Sequence, residues 1–176
     1  MGKALIFCGI KHCGKSTLGK ALAALLKVPF TDTDELLEEK HQCSCRELFK
    51  QKGEEEFRRL ESELLSALPP AEKVEIISLG GGALLKDANF PILQRLGSII
   101  WIDVDDITAF ERISRNGLPP FLADAPDPFA EFRKRNALRR QLFEKAASLR
   151  FEARSPLAPR DNAIALRELL IEKGMI

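Results

Sequence analysis

Apolar residues occur along the chain in two alternating patterns, which are short continuous runs and longer stretches with helical spacing. The continuous runs predict five strands, Lys3–Cys8, Val28–Thr31, Val74–Leu79, Ser98–Val104 and Leu149–Ala153. A continuous run such as Lys3–Cys8 is typical of a strand that is covered on both faces of its sheet.

The stretches with helical spacing predict the helices Ser16–Lys27, Asp34–Lys40, Arg46–Lys52, Glu54–Leu68, Asp105–Asn116, Phe129–Ser148 and Asp161–Lys173. Pro69 and Pro70 are expected to end the helix before them. The segment Gly117–Pro128 contains four prolines and is expected to form no regular element. Alternating strands and helices with short links predict an α/β fold, with a parallel sheet between two layers of helices.

Composition narrows the class of protein further. The 176 residues suit one domain, and 27 basic against 26 acidic residues give a net charge of +1, which lacks the strongly basic signature of a nucleic-acid-binding protein. No apolar stretch approaches the ~18 residues that a membrane span needs, and no secretory signal is apparent. We therefore expect a soluble, cytoplasmic protein, and a monomer because no feature suggests an interface.

The cysteines do not indicate a metal site. Cys8 lies in the first apolar run and is expected in the core. Cys43 and Cys45, with His41 nearby, lack the second pair of ligands that a structural zinc site requires.

Residues suited to binding or catalysis follow three of the predicted strands. Parallel sheets bind their ligands at these strand ends. After the first strand, Gly9–Thr17 matches G-x-x-x-x-G-K-[ST], which predicts a nucleotide phosphate-binding loop opening a helix. Lys15 can reach the terminal phosphates, and the hydroxyl of Ser16 can bind Mg²⁺. The residues expected to contact ATP here are His12, Cys13, Gly14, Lys15, Ser16 and Thr17.

The other two strand ends allow more than one interpretation. Asp32 and Asp34 can serve a metal ion and a hydroxyl nucleophile, or Asp34 can simply cap a helix. The triple glycine Gly80–Gly82 indicates close approach of the backbone to a ligand, or a flexible turn.

A charged cluster lies in the helix between these two strand ends. Glu54, Arg58 and Glu61 can share one helical face. In isolation, that spacing favours a solvent-exposed charged surface.

Together these motifs resemble the shikimate kinase family, in its order and spacing over nearly the full length. The most specific part of the resemblance is Arg58, in the setting Gly53-Glu54…Phe57-Arg58-Arg59-Leu60-Glu61, together with Ser78-Leu79-Gly80-Gly81-Gly82-Ala83. The resemblance implies one three-layer α/β/α P-loop kinase domain over residues 1–176, with a central five-stranded parallel sheet and a mobile lid at about 117–128. It implies phosphorylation of the 3-hydroxyl of shikimate by ATP with Mg²⁺, a step of chorismate and aromatic amino acid biosynthesis.

The resemblance also assigns individual roles. Lys15 would hold the transferring phosphoryl group, Ser16 the Mg²⁺ ion, and Asp32 would lie in the outer shell of that ion. Asp34 would orient the shikimate hydroxyl and accept its proton. The substrate carboxylate would bind Arg58 and Arg139, and the substrate would meet the backbone of Gly80, Gly81 and Gly82. Arg112 and Arg160 would contact the adenine side of ATP.

One position departs from the family pattern. The family's lid carries an arginine where this sequence has Pro119, and neither Lys nor Arg occurs between Asn116 and Arg133. Arg115 could replace this cation while Phe121 and Leu122 cover the site, or Lys15 and Mg²⁺ could suffice. The alternatives that remain are another small P-loop kinase, acting on gluconate or a nucleoside monophosphate, and a catalytically weakened nucleotide-binding relative.

Overall fold

The sheet consists of five parallel strands in the order β2-β3-β1-β4-β5. The computed structural model describes residues 3–115, 117–154 and 157–176, with the side chains at 120 and 121 excepted. Its strands are β1 (Ala4–Cys8), β2 (Phe30–Asp32), β3 (Glu75–Ser78), β4 (Gly97–Asp103) and β5 (Leu149–Glu152). The five predicted strands are therefore confirmed, with shifts of one or two residues at their ends.

The central strand is buried along its whole length. All five residues of β1 are buried, and the strand pairs in register with β3 on one side and β4 on the other. Burial of successive residues, whose side chains alternate between the two faces, means that helices cover the sheet on both sides. The predicted α/β class is thus confirmed.

The described helices are α1 (Lys15–Leu26), α2 (Thr33–His41), α3 (Cys45–Ala67), α4 (Asn89–Leu96), α5 (Asp106–Arg115), α6 (Pro120–Ala123), α7 (Pro128–Ala146) and α8 (Pro159–Glu172). Within α3, Gly53 has the non-helical angles φ 80° and ψ 171°, which separates the two helices predicted there. In the described part of the chain, no helix is both long and apolar enough to cross a bilayer.

Two segments differ from the prediction. The sequence pattern assigned no element to residues 83–97, which contain a 3₁₀ turn (Ala83–Leu85) and α4. Pro91 lies in the first turn of α4, where a missing N–H costs nothing because it would have no partner within the helix. The expectation that Gly117–Pro128 forms no regular element is wrong, because Pro120 is the first residue of the single-turn helix α6.

The core is divided into two parts. The larger cluster surrounds β1, β3 and β4 and includes the predicted core residue Cys8. A smaller cluster of Leu37, Leu48, Phe57 and Leu60 joins α2 to α3. This second cluster fixes α3 beside the carboxyl ends of β2 and β3, so that its charged residues can reach the sheet edge.

Candidate active site

The loop after β1 wraps around the ammonium group of Lys15. Gly9 (φ 155°), His12 (φ 65°) and Gly14 (φ 94°) adopt positive φ, so His12 holds a left-handed conformation although it is not glycine. Lys15 is 8% exposed, and its Nζ donates to the carbonyl oxygens of Gly9 and Ile10, each at 3.0 Å. The loop therefore holds this cation at its centre, beside the N-terminus of α1.

An oxygen-rich cluster lies immediately beside this loop. The Ser16 hydroxyl donates to Oδ2 of Asp32 at 2.6 Å and lies 3.3 Å from the Ser78 hydroxyl. Asp32 and Ser78 are buried. The two predicted metal ligands, Ser16 and Asp32, are therefore adjacent and come from different strand ends.

Asp32, and not Asp34, caps α2. Oδ1 of Asp32 accepts a hydrogen bond from the backbone N–H of Asp34 at 2.9 Å, which corrects the alternative interpretation of Asp34 as the cap. The Asp34 side chain therefore does not cap the helix. Burial, reinforced by the negative charge of Asp32, raises its pKa above the usual carboxyl range, while Lys15 and Lys11 oppose the shift.

The triple glycine packs directly against charged side chains. A Cβ atom on Gly80 would lie 2.5 Å from Oδ1 of Asp34 and 2.8 Å from Oε1 of Glu61, and one on Gly82 would overlap the guanidinium group of Arg58. The backbone N–H of Gly80 donates to Oγ1 of Thr33 at 3.0 Å. The backbone therefore approaches charged side chains of the protein itself, and its predicted close approach to a ligand stays a prediction.

Arg58 and Glu61 form a largely buried ion pair. Nη1 of Arg58 lies 2.5 Å from Oε2 of Glu61, and the side chains are 17% and 6% exposed. The solvent-exposed face favoured from spacing alone is thus wrong for these two residues, although Glu54 is exposed. Burial raises the pKa of Glu61, and the Arg58 charge opposes that shift.

The charge of Arg139, in α7, acts on the same pair. Burial, followed by the positive charges of Arg58 and Arg135, lowers the pKa of Arg139, whereas Glu54 and Glu61 raise it. The charges of Arg58 and Arg139 therefore both act on the buried carboxylate of Glu61, a combination suited to a further anionic group. Glu61 was recognised in the sequence only as part of a charged helix, because the burial of a helical face depends on distant elements.

A cavity of about 340 Å³ opens on the other side of the loop. The cavity is lined in part by His12, Cys13, Gly14, Thr17 and Arg112. The Arg112 guanidinium group donates to the carbonyl oxygens of His12 and Cys13, both at 3.3 Å. Sequence reasoning missed the rest of the lining, which is Leu18, Ala153, Arg154, Leu157, Pro159 and Asn162.

The segment between β5 and α8 is tied together at this cavity. Asn162 accepts from the backbone N–H of Arg154 and donates to its carbonyl oxygen, each at 2.9 Å. Arg160 is exposed in the first turn of α8 and is not among the described residues that line the cavity, although Pro159 beside it is.

The segment predicted as a lid is only partly accounted for by the described residues. Leu122 is fully buried in the main core, and Pro119 accepts the backbone N–H groups of Leu122 and Ala123. The prediction that Phe121 covers the site falls on a side chain outside the described residues. Arg115 is 77% exposed and lies 3.9 Å from Glu111 of its own helix, and no hydrogen bond or ion pair among the described residues joins it to the phosphate loop.

Known proteins are similar to this chain in both sequence and fold. A sequence model of the family described as shikimate kinase matches residues 11–167. The shikimate kinase of Chlamydia pneumoniae is 37% identical over 125 residues, covering 69% of this chain and 70% of that protein. That of Symbiobacterium thermophilum is 35% identical over 148 residues, covering 83% and 84%. The solved structure of shikimate kinase from Acinetobacter baumannii in complex with shikimate matches with a TM-score of 0.86 and 26% identity, covering 97% of this chain and 93% of that one.

Proposed function

The chain belongs to the shikimate kinase family, and we propose that it transfers the γ-phosphoryl group of ATP to the 3-hydroxyl of shikimate where the phosphate loop meets Asp34 and Arg58. The observation that carries this proposal is the largely buried pair of Arg58 and Glu61, which packs with Asp34 against the triple glycine and on which the charge of Arg139 also acts. A phosphate loop alone serves many nucleotide enzymes, whereas a pair of arginines beside a buried acid suits a small carboxylate substrate.

On the nucleotide side, the backbone of the loop and the N-terminus of α1 would bind the phosphates. Lys15 would exchange its bonds to the Gly9 and Ile10 carbonyls for bonds to phosphate oxygens. The cavity beside Arg112 would take the adenosine, with Arg160 at its edge. The contact of Arg112 with two loop carbonyls supports this role, because it links the loop to the wall of the cavity.

Ser16 and Asp32 fit a magnesium ion. A hydroxyl and a carboxylate 2.6 Å apart supply the hard oxygen donors that Mg²⁺ prefers. When bound, the ion neutralises charge on the β- and γ-phosphates. Ser16 would hold it directly, and Asp32 would orient its hydration shell.

On the acceptor side, Arg58 and Arg139 would bind the shikimate carboxylate. The backbone of Gly80–Gly82 would contact the shikimate ring. Asp34 would accept the 3-hydroxyl hydrogen bond and take its proton as the bond to phosphorus forms. The raised pKa of Asp34 supports this role, since a carboxylate of higher pKa is a stronger base once it is ionised. Glu61 would hold Arg58 in place without touching the reacting atoms.

The remaining expectations concern the setting of the reaction. We propose one domain over residues 1–176, active as a cytoplasmic monomer, with a lid at about 117–128 that excludes water from the transfer step. Mg²⁺ and ATP complete the reaction mixture.

A comparison of candidate substrates tests this function. Purified protein with Mg-ATP is supplied separately with shikimate, gluconate and nucleoside monophosphates, and ADP release is measured. Of these acceptors, we expect only shikimate to cause ADP release. Preference for gluconate or a nucleoside monophosphate would identify a different small P-loop kinase, and binding of ATP and shikimate without ADP release would identify a nucleotide-binding relative.

A further inference from the structure

Lys11 occupies the boundary between the two halves of the proposed site. Its backbone nitrogen lies 3.5 Å from the position of a Cβ atom on Gly81, so the loop touches the triple glycine at this residue. Its charge lowers the pKa of Asp34 on the acceptor side and that of His12 on the nucleotide side. Lys11 therefore lies where the phosphate loop meets the triple glycine, and its charge acts on one residue in each half of the proposed site.

Three other cations near the site already have defined contacts. Lys15 donates to two loop carbonyls, Arg112 holds the cavity side of the loop, and Arg58 pairs with Glu61. Lys11 is exposed and, within the described ranges, makes no ion pair. Its ammonium group is thus available for a ligand.

The segment predicted as a lid contributes no positively charged side chain. The sequence from 117 to 132 contains no lysine, arginine or histidine, although it contains Asp124, Asp127 and Glu131. Arg115, the nearest preceding cation, is exposed beside Glu111. Phosphoryl transfer develops charge on the equatorial oxygens, and a positive group placed there lowers the barrier strongly.

From this arrangement, and resting on the proposed function, we propose that Lys11 is a catalytic residue whose ammonium group binds the transferring phosphoryl group from the acceptor side. In that step the shikimate 3-oxygen forms a bond to the γ-phosphorus while the bond from that phosphorus to the bridging oxygen of ADP breaks. The 3-hydroxyl proton passes to Asp34. Lys11 exchanges no proton in this step and acts only through its charge and hydrogen bonds.

The test compares Lys11→Met, Lys11→Arg and Arg115→Ala with the unaltered protein in the shikimate-dependent ADP-release assay. We expect Lys11→Met to lower kcat by about 100-fold, the usual effect of losing one charge-stabilising group, with KM for shikimate changed less than threefold. Lys11→Arg keeps the charge and should retain at least a third of kcat. Arg115→Ala should match the unaltered protein, and thermal melting should show all three variants folded, because both side chains are exposed.

Two results would overturn the proposal. If Lys11→Met retains more than a third of kcat, no catalytic cation resides at this position. If Lys11→Arg loses as much as Lys11→Met, the site requires the shape of lysine and not its charge. Absence of shikimate turnover in the unaltered protein would instead refute the proposed function, so the two failures are distinguishable.

Discussion

A single methyl group at Gly80 should disable the acceptor side of the site. In Gly80→Ala, the new Cβ atom would lie 2.5 Å from Oδ1 of Asp34 and 2.8 Å from Oε1 of Glu61. An ordinary carbon–oxygen contact is about 3.4 Å, so Asp34 has to retreat by about 0.9 Å and Glu61 by about 0.6 Å. A misplacement of about 1 Å can cost roughly 100-fold in rate. We therefore expect kcat with shikimate to fall by about two orders of magnitude.

Gly81→Ala provides a matched control in the same segment. A Cβ atom there meets the Lys11 nitrogen at 3.5 Å and the Gly9 carbonyl oxygen at 3.7 Å, which are ordinary contacts. Neither Gly80 nor Gly81 has a positive φ, so backbone strain does not separate the two variants.

Steady-state kinetics and thermal melting distinguish the explanations. We expect kcat of Gly81→Ala to remain within about fivefold of the unaltered protein, KM for ATP to be preserved in Gly80→Ala, and both variants to melt as cooperative folded proteins. Equal activity of Gly80→Ala and the unaltered protein would refute the reasoning that this glycine sets the position of Asp34. A large loss of melting temperature, with normal activity in the remaining folded protein, would show that the glycine serves stability alone.

Three further substitutions test individual roles. Lys15→Ala should lower kcat below about a tenth of the unaltered rate, since the charge that stabilises transfer is lost, and circular dichroism should show an intact fold. Arg58→Ala should raise KM for shikimate steeply and leave ATP affinity unchanged in a titration, because a desolvated charged partner is worth about 2–5 kcal/mol; equal loss of both affinities would make Arg58 structural. Asp34→Asn should lower kcat at least about 100-fold. Its melting temperature at pH 7 should stay equal or rise, because the raised pKa means that ionised Asp34 costs the folded state stability that protonation restores.

The phosphate loop could be predicted in detail because its determinants are local. Glycine spacing, Lys15 and the following helix lie within nine residues, and hydrogen bonds along the backbone complete the geometry. The pairing of Ser16 with Asp32 could also be predicted from the sequence, because both residues follow strands of one parallel sheet and such strand ends meet at a common edge.

The acceptor side could be predicted less completely because it depends on packing between distant segments. The spacing of Arg58 and Glu61 gives a shared helical face but not the environment of that face. The glycine segment packs against this face from 19 to 24 residues further along the chain. Family resemblance, and not periodicity, suggested the role of Arg58.

The cavity wall was missed for a similar reason. Arg154 and Asn162 carry no local motif, and they become neighbours only through the two hydrogen bonds that close the segment between β5 and α8. Helix α4 was not among the predicted helices; Pro91 lies in its first turn and therefore does not interrupt it.

The product of the reaction tests the central claim most directly. The unaltered protein is incubated with shikimate and Mg-ATP, and the product is examined by mass spectrometry and by ¹H and ³¹P nuclear magnetic resonance. We expect one added phosphate, with the proton on C3 coupled to phosphorus, formed in step with ADP. A phosphate on another hydroxyl, or shikimate recovered unchanged under conditions where ATP binds, would contradict the proposed arrangement of Asp34, Arg58 and Arg139 around the substrate.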